Sequence, residues 1–269
     1  MARKRDTKIA AFATLKGGTG KTMTAFNVSG ILAEKHKVLM IDCDPQCNLS
    51  SNAGVDITDP DEPSIRTVFD DGKTNPLNIT IPGVIDDLPN LDIIPSSLYL
   101  IETEMNMISR SGRENLLSNW FKRNKEHFDR YDYIIIDTNP SMGLVNQNVF
   151  VCANSINLVT DVGHNAKLGA NAFIYLWEKR REDLQLDDNI RSLIVNNYDK
   201  RIGLSGDFIE DILDSEGLMD LFVLPVIPSR VLIKDTEGKM KPINLISKRS
   251  EGLIAYRTLV ENLIKKGAL

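Results

Sequence analysis

The chain has 269 residues, of which 42% are hydrophobic and 26% charged, and its formal net charge is −5 at pH 7. This composition is ordinary for a globular protein, and it excludes a surface that is basic enough overall to bind nucleic acid without a local patch. No stretch approaches the roughly 18 apolar residues of a membrane span, and the basic start runs into a short strand rather than the long apolar region of a secretory signal.

Short apolar segments that are typical of buried strands alternate along the chain with helix-forming segments. The predicted strands are residues 8–13, 37–43, 91–95, 133–137, 155–160, 191–196 and 221–226. The predicted helices are residues 22–34, 144–153 and 166–182, and a final helix is marked by Leu253, Tyr256, Leu259, Val260, Leu263 and Ile264. This alternation predicts an α/β fold with a mostly parallel, twisted sheet covered by helices on both faces.

Residues 58–92 are rich in proline, aspartate and glycine, and we expect an irregular excursion there rather than a linker. Repeats and low-complexity tracts are absent from the sequence. We therefore predict a single domain over residues 1–269, with residues 1–7 as a basic tail. Ligands of such a domain bind at the carboxyl ends of its strands.

Residues 13–22, ATLKGGTGKT, nearly match the phosphate-binding loop G-x-x-x-x-G-K-[ST], although Leu15 occupies the place of the first glycine. A strand before the loop and a helix after it are the context that this motif requires, so we predict a P-loop NTPase fold. Lys21 is expected to reach the β- and γ-phosphates, and the Thr22 hydroxyl to ligate Mg²⁺. The predicted nucleotide-binding residues of the loop are Lys16, Gly17, Gly18, Thr19, Gly20, Lys21, Thr22 and Met23.

Lys16 is an additional cation in a loop that already contains a phosphate-binding lysine. A side chain on the outer shoulder of the loop could cross a face-to-face dimer interface and contact phosphates held by the other subunit. For arginine fingers such a contact is worth about 10³–10⁵ in rate, and a lysine gives less geometric control. We therefore predict that Lys16 acts in nucleotide binding and catalysis together with Lys21. The alternative is a solvated surface lysine.

Aspartates end two of the predicted strands. Asp137 closes residues 133–137 and is a candidate for orienting Mg²⁺, with a helix-capping aspartate as the alternative. Asp42 lies at the end of the predicted strand 37–43, and Asp44 follows it directly. Strand alternation predicts that the two side chains point to the same side. Ordinary turn aspartates are the alternative for this pair.

Four ordered blocks of the chain resemble the ParA/MinD family of deviant Walker A ATPases. KGGTGKT resembles the family's signature, in which the lysine before the two glycines is diagnostic. Residues 37–50 (KVLMIDCDPQCNLS), residues 131–143 (YDYIIIDTNPSMG) and residues 224–256 with their I-P, K-P and A-Y landmarks are similar to the other blocks. The D-P-Q block and the late region are most similar to the ParA branch, which partitions plasmids and chromosomes, in its short form without an N-terminal helix-turn-helix domain.

The resemblance implies roles for individual residues and for partners. Asp44 would position the attacking water, Asp42 would support the magnesium shell of Thr22 and Asp137, and Asn196 and Pro228 would contact adenine. ATP and Mg²⁺ would be the cofactors of a cytoplasmic, nucleoid-associated ATPase that forms a homodimer on binding ATP. That dimer would bind DNA non-specifically and be released on hydrolysis, which a centromere-binding, ParB-type adaptor would stimulate.

Three positions depart from the family pattern. Asn139 replaces the first proline of a P-P pair, which favours a less rigid turn after Asp137. Leu232 stands where many relatives carry a DNA-binding arginine, and Cys47 replaces a frequent glycine. The remaining candidates for DNA contact are basic residues that alternatively form a solvated face: Arg230, Lys234, Lys239, Lys241, Lys248 and Arg249, with Arg3, Lys4 and Arg5 in the tail.

Three other functions are alternatives to partition. A MinD-like membrane anchor would use the terminal segment TLVENLIKKGAL, whose apolar stripe core packing explains better. A reductase of the nitrogenase iron-protein type needs paired cysteines after the Asp137 strand, and Cys43, Cys47 and Cys152 do not supply them; reduced thiols are favoured. A small-molecule kinase or ligase would need a substrate pocket that the sequence does not reveal.

Overall fold

The computed structural model describes residues 6–163, 165–201 and 203–269, without the side chains of residues 203–205, 231 and 234. The strands are β1 (Lys8–Ala13), β2 (Val38–Cys43), β3 (Leu91–Ile94), β4 (Tyr133–Thr138), β5 (Ser155–Thr160), β6 (Ile190–Val195) and β7 (Phe222–Val223). The α-helices are α1 (Lys21–Leu32), α2 (Asn48–Asn52), α3 (Ile65–Asp71), α4 (Leu100–Met107), α5 (Leu116–Arg123), α6 (Lys125–Phe128), α7 (Leu144–Cys152), α8 (Ala166–Asp183), α9 (Gly203–Leu213), α10 (Glu216–Met219), α11 (Val231–Lys239), α12 (Ile243–Ile246) and α13 (Glu251–Lys266).

The strands form a seven-stranded, all-parallel sheet in the order β3-β2-β4-β1-β5-β6-β7, which confirms the predicted fold class. Strand β4 lies between β1 and β2, so that Asp137 is in register with Phe12 on one side and Asp42 on the other. Because all strands run in the same direction, the phosphate loop, the D-P-Q turn and the segment after Asp137 leave the same edge of the sheet.

Buried side chains cover both faces of the sheet. One face packs against an aromatic cluster that contains Trp120, Phe150 and Trp177, and the other packs against Phe26 and α13. Within the described ranges, no helix combines the length and apolar character that a bilayer crossing requires.

The apolar stripe of α13 belongs to the second of these layers, as core packing predicts. Its buried members are Leu253, Tyr256, Leu259, Val260 and Leu263. Ile264, which the sequence also assigns to the stripe, is 41% exposed. The stripe therefore faces the sheet along most of its length.

The predicted strand boundaries fail where proline ends the hydrogen-bond ladder. β3 stops at Ile94, before Pro95, and β7 contains only Phe222 and Val223, before Leu224 and Pro225. Proline has no N–H to donate to a neighbouring strand, so the ladder cannot continue through it.

The segment predicted to be irregular, residues 58–92, contains α3 and a 3₁₀ turn at Pro76–Asn78. Three apolar side chains at helical spacing in α3 are buried: Ile65, Val68 and Phe69. Ile81 also forms an antiparallel bridge with Ile93 of β3. The segment therefore packs against the edge of the sheet. It also contains a short amphipathic helix, which its proline and glycine content does not predict.

Candidate nucleotide-binding site

The loop between β1 and α1 has the backbone geometry of a phosphate cradle. Gly18 and Gly20 adopt left-handed conformations, with φ of 78° and 81°. A Cβ on Gly20 would also overlap Nδ2 of Asn196, so both the backbone conformation and the available space favour glycine at this position. Helix α1 starts directly after Gly20, which directs its positive end toward the loop. The loop therefore presents N–H groups and a helix terminus to an anion.

A cavity of about 540 Å³ opens in front of this loop, a volume in the range of small-molecule and cofactor sites. The predicted loop residues from Lys16 to Met23 all line it. The other lining residues come from the segments after β1, β2, β4 and β6 and from α11: Thr14, Asp44, Gln46, Asn48, Asn52, Pro140, Asn196, Asn197, Ile233 and Glu237. The strand order has thus brought these separated segments to a single concave surface.

Lys21, Thr22 and Asp137 meet beneath the loop. The Lys21 ammonium forms an ion pair with Oδ1 of Asp137, and Thr22 Oγ1 donates a hydrogen bond of 2.7 Å to Oδ2 of the same carboxylate. Lys21 is 5% exposed and Asp137 is fully buried. Hydroxyl and carboxylate oxygens are the hard ligands that Mg²⁺ prefers, so this group fits a magnesium ion beside a phosphate. Oγ1 of Thr19, buried without a hydrogen-bond partner in the described structure, is a further polar atom in the loop.

Asp44 lies at the cavity wall, 5% exposed, and its Oδ1 accepts a hydrogen bond of 2.9 Å from the amide of Gln46. Burial raises the pKa of the Asp44 carboxyl above its ordinary value. Asp44 follows the last residue of β2, Cys43, and belongs to a turn that is closed by a hydrogen bond from the amide of Cys47 to the Asp44 carbonyl. Strand alternation therefore does not set its direction, contrary to the argument from sequence.

Asp42 is fully buried and does not line the cavity. Its Oδ1 accepts from the amide of Asp44 at 3.0 Å, and its Oδ2 accepts from the amide and hydroxyl of Ser50 at 2.9 and 2.7 Å. Burial, followed by the nearby charge of Asp137, raises the pKa of Asp42 to about 7. Seen from the cavity, Asp42 thus lies in the protein interior beyond Asp44. No sequence pattern identifies Ser50 as the hydrogen-bond partner of Asp42.

Lys16 lies at the rim of the cavity and is held by its own chain. Its Nζ is 2.6 Å from Oδ2 and 2.9 Å from Oδ1 of Asp161, with side-chain exposures of 41% and 21%. A Cβ on Gly163 would lie 2.8 Å from Nζ, so the glycine leaves room for the lysine. No motif or periodicity in the sequence points to Asp161. Its position just after β5, the neighbour of β1, is the signal that could have identified it.

Asn196 and Pro228, predicted to contact adenine, have different surroundings. Asn196 is 2% exposed and lines the cavity, but its Nδ2 donates to the carbonyls of Thr19 and Gly20 at 3.1 and 3.3 Å. Pro228 forms a parallel bridge with Tyr198 and is not among the residues that line the cavity. The Asn196 side chain therefore supports the phosphate loop from below.

The segment after Asp137 is fixed by side-chain amides. Nδ2 of Asn146 donates to the carbonyl and Oδ1 of Asn139, both at 2.8 Å, and to the carbonyl of Ser141 at 2.8 Å. Oε1 of Glu104, from α4, accepts from the amide of Val145 at 3.0 Å in the first turn of α7. These hydrogen bonds stabilise the turn that follows Asp137 and tie it to α7.

The predicted DNA-contacting residues divide into paired and unpaired side chains. Arg230 pairs with Glu251 and Lys241 with Asp87, each at 2.7 Å. Lys239, Lys248 and Arg249 are exposed, and no ion pair involves them within the described part of the chain. The side chain of Lys234, and all of Arg3, Lys4 and Arg5, lie outside the described residues.

The three cysteines are free thiols, and burial raises the pKa of each, that of Cys47 to about 12. Among the described residues, no group of three or more His, Cys, Asp or Glu side chains could hold a metal ion. Cys43 is buried, and Cys47 and Cys152 are partly buried.

Comparison with known proteins agrees with this geometry. A family model described as an AAA domain (AAA_31) matches residues 7–191. The sporulation initiation inhibitor protein Soj of Bacillus subtilis is 29% identical over 261 residues, which cover 97% of this chain and 99% of Soj. The chromosome partitioning protein ParA of Caulobacter vibrioides is 28% identical, and the match covers 96% of this chain and 94% of that ParA.

Among solved structures, a plasmid partition protein of Borrelia burgdorferi bound to AMPPNP superposes with a TM-score of 0.79 at 24% identity. The superposition covers 97% of this chain and 100% of the other. At this identity the similarity shows the shared fold. The phosphate loop, the Asp137 strand and the D-P-Q turn all lie within the residues that the family model matches. The chain belongs to the AAA domain family that the AAA_31 model describes and, within it, to the ParA family.

Proposed function

We propose that this protein is a magnesium-dependent ATPase of the partition type. The observation that carries the proposal is the buried group formed by Lys21, Thr22 and Asp137 beneath a glycine-rich loop. Burying an ion pair costs desolvation energy. Charged groups that are buried beside a cavity despite this cost are typical of functional sites. A triphosphate with Mg²⁺ matches this donor set.

Each residue of the group has a task in this proposal. Lys21 and the loop amides bind the phosphates, while Thr22 and Asp137 hold the metal. Bound Mg²⁺ supplies charge neutralisation to the transferring phosphoryl group. Asp44 lies at the cavity wall with a carboxylate that can accept a hydrogen bond from the attacking water and fix its direction. Positioning of this kind is most of what phosphoryl transfer requires from a protein.

Lys16 completes the site of a second copy. Its side chain is 41% exposed at the rim and its partner Asp161 is also accessible, so the lysine can exchange that carboxylate for a phosphate of the facing subunit. ATP binding then assembles a homodimer, since the second triphosphate provides the opposite charge. Soj and ParA, which are similar to this chain over nearly all of its length, support the assignment to partition.

DNA binding by the dimer is the next part of the proposal. Lys239, Lys248 and Arg249, which have no ion pair among the described residues, are the first basic side chains to carry it. Arg230 and Lys241 would each have to exchange an acidic neighbour for a DNA phosphate. Contacts of this type neutralise phosphates without reading bases, so the affinity falls steeply with salt. A centromere-binding adaptor stimulates hydrolysis and thereby releases the DNA.

The test is retention on non-specific DNA in the presence of ATP, ADP or no nucleotide, with ATP turnover measured in parallel. The wild-type protein should bind DNA only with ATP, and Lys16→Ala should lose that binding. Lys122→Ala, which removes an exposed lysine that does not line the cavity, is the matched control. Equal retention on DNA in all three nucleotide states would contradict the proposal that ATP controls DNA binding. Absence of ATP turnover would contradict the proposal that the protein is an ATPase.

A membrane-associated function of the MinD type is separated from partition by liposome pelleting with ATP. Most of the apolar side chains of α13 that would insert into a bilayer are packed in the core. We therefore expect the protein to remain in the supernatant with anionic vesicles. Pelleting that depends on ATP would instead favour the membrane function.

A further inference from the structure

One buried carboxylate ties together both ends of the turn that carries Asp44. Oδ1 of Asp42 accepts from the amide of Asp44 at 3.0 Å, and Oδ2 accepts from the amide and hydroxyl of Ser50 at 2.9 and 2.7 Å. Both Asp42 and Ser50 are fully buried. Three hydrogen bonds away from water converge on this one side chain, so it fixes residues 44 and 50 relative to β2.

The Ser50 hydroxyl also reaches a second strand. Its oxygen accepts from the amide of Ser96 at 3.0 Å, just beyond the end of β3. The hydroxyl thus bridges the Asp42 carboxylate and the segment after β3, two elements that leave the same edge of the sheet. Removing it would leave the Ser96 amide without an acceptor at a buried position, and the turn without one of its anchors.

Asp42 is fully buried and does not line the cavity, so its carboxylate is not presented to a ligand there. Its Oδ1 accepts from one donor and its Oδ2 from two, all of them within its own chain. Asp44, by contrast, lies at the cavity wall with Oδ1 held by the Gln46 amide. The amide of Asp44 and both donor groups of Ser50 therefore converge on Asp42, while the Asp44 side chain lines the cavity.

We propose that Asp42 and Ser50 are positioning residues that hold Asp44 in its place at the cavity wall. Asp42 acts through its hydrogen bonds and not as a magnesium ligand. The inference rests on the proposed function, because it presumes that Asp44 directs the attacking water. A displaced carboxylate still permits ATP to bind to the phosphate loop, but it lowers the rate of the chemical step.

The test compares steady-state ATP turnover with ATP affinity for Ser50→Ala, Asp42→Asn and the control Ser51→Ala. Ser51 is the adjacent residue, and its hydroxyl donates to Asp56 on the outer side of the turn. Since small displacements of a catalytic group cost up to about 10²-fold, we expect Ser50→Ala to lower kcat about 10-fold and to leave the ATP dissociation constant within about twofold. Asp42→Asn should lower kcat further, because an amide cannot accept at both of its terminal atoms. Ser51→Ala should resemble the wild type.

The dependence on Mg²⁺ separates positioning from metal binding. The Mg²⁺ concentration for half-maximal turnover should be unchanged in Ser50→Ala and Asp42→Asn, whereas loss of a magnesium ligand would raise it in Asp42→Asn. Wild-type kcat in both variants, or parallel loss of ATP binding and kcat, would overturn the inference. If Ser50→Ala does not fold, Asp42→Asn decides by the same criteria.

Asp44→Ala distinguishes a failure of the inference from a failure of the proposed function. A wild-type protein that does not hydrolyse ATP, or an Asp44→Ala variant that turns over at the wild-type rate, would contradict the proposed function itself. An inactive Asp44→Ala variant beside fully active Ser50→Ala and Asp42→Asn variants would contradict only the positioning roles.

Discussion

Nζ of Lys16 lies 2.6 Å from Oδ2 of Asp161 in the same chain, at the rim of the cavity. Both side chains are partly exposed, and ion pairs of this kind contribute about 0–1 kcal/mol to stability. A triphosphate carries more negative charge than one carboxylate, so it can displace Asp161 at little cost. Lys16, which we propose contacts a phosphate bound to the facing subunit, is therefore held in its own chain by an ion pair that is weak enough to be exchanged for that phosphate.

The first prediction concerns this ion pair. Asp161→Asn removes a competitor for Lys16, and we expect it to tighten ATP-dependent dimerisation by up to about fivefold, the equivalent of about 1 kcal/mol. The measurement is sedimentation equilibrium with ATP in an Asp44→Ala background, which under the proposed function blocks hydrolysis. Asp188→Asn, which removes the partner of Arg191 on an exposed surface, is the control. Weaker dimerisation of the Asp161 variant would show that the ion pair supports the dimer instead.

The second prediction concerns the buried pair of Lys21 and Asp137. Lys21→Ala leaves a fully buried carboxylate without its cation, which costs about 3–5 kcal/mol of unfolding free energy when a buried pair is broken. Urea denaturation without nucleotide measures this loss. Adding Asp137→Asn to the variant removes the unpaired charge and should recover a substantial part of the stability. Strictly additive losses in the double variant would contradict the coupling.

The third prediction concerns Cys47, which adopts a left-handed conformation with φ of 56° immediately before α2. A residue with a Cβ is strained there by about 1 kcal/mol, and glycine is not. We expect Cys47→Gly to raise the unfolding free energy, while Cys47→Ala, which keeps the Cβ, should not. Thermal denaturation of the two variants provides the comparison. Equal stability of both variants would mean that the strain is relieved in another way.

The fourth prediction concerns pH. Burial, followed by the nearby Arg130, lowers the pKa of His127 from 6.5 to about 4. The unfolded chain therefore binds a proton at this residue more readily than the folded protein, and stability falls as the pH decreases from about 6.5 towards 4. His127→Gln does not titrate, so it should lose less stability than the wild type between about pH 7 and pH 5. Urea midpoints at the two pH values measure this, and an equal loss in both proteins would exclude His127 as a source.

The sequence predicts the central strands well because each is a short segment dominated by apolar and β-branched residues. Residues 8–13 and 155–160 agree with β1 and β5 at both ends, since neighbouring polar residues mark their boundaries clearly. For strands that end at proline the prediction is too long, because apolar residues continue past the point where the ladder has lost its donor. The helix in residues 58–92 escapes prediction because its apolar spacing extends over barely two turns.

The site is predictable in its location but not in its contacts. Strand ends and the glycine-rich loop locate the phosphate-binding residues, because parallel strands share one edge. The partners of Lys16, Asp42 and Asn196 depend on which side chains meet in three dimensions, over a separation of 177 residues for Asn196 and Thr19. Periodicity carries no information on such pairs, and it is misleading for Asp44 because strand geometry ends at Cys43.

The hydrogen bonds that Asn146 donates to Asn139 and Ser141 have a consequence for how the cavity responds to occupancy. A proline ring stiffens a turn in every state of a protein, whereas these bonds persist only while α7 keeps its present place. The first turn of α7 is in turn fastened to α4 by Glu104. A shift of the segment after Asp137 would therefore displace α7 and, through Glu104, also α4, so the cavity edge and these two helices are mechanically coupled.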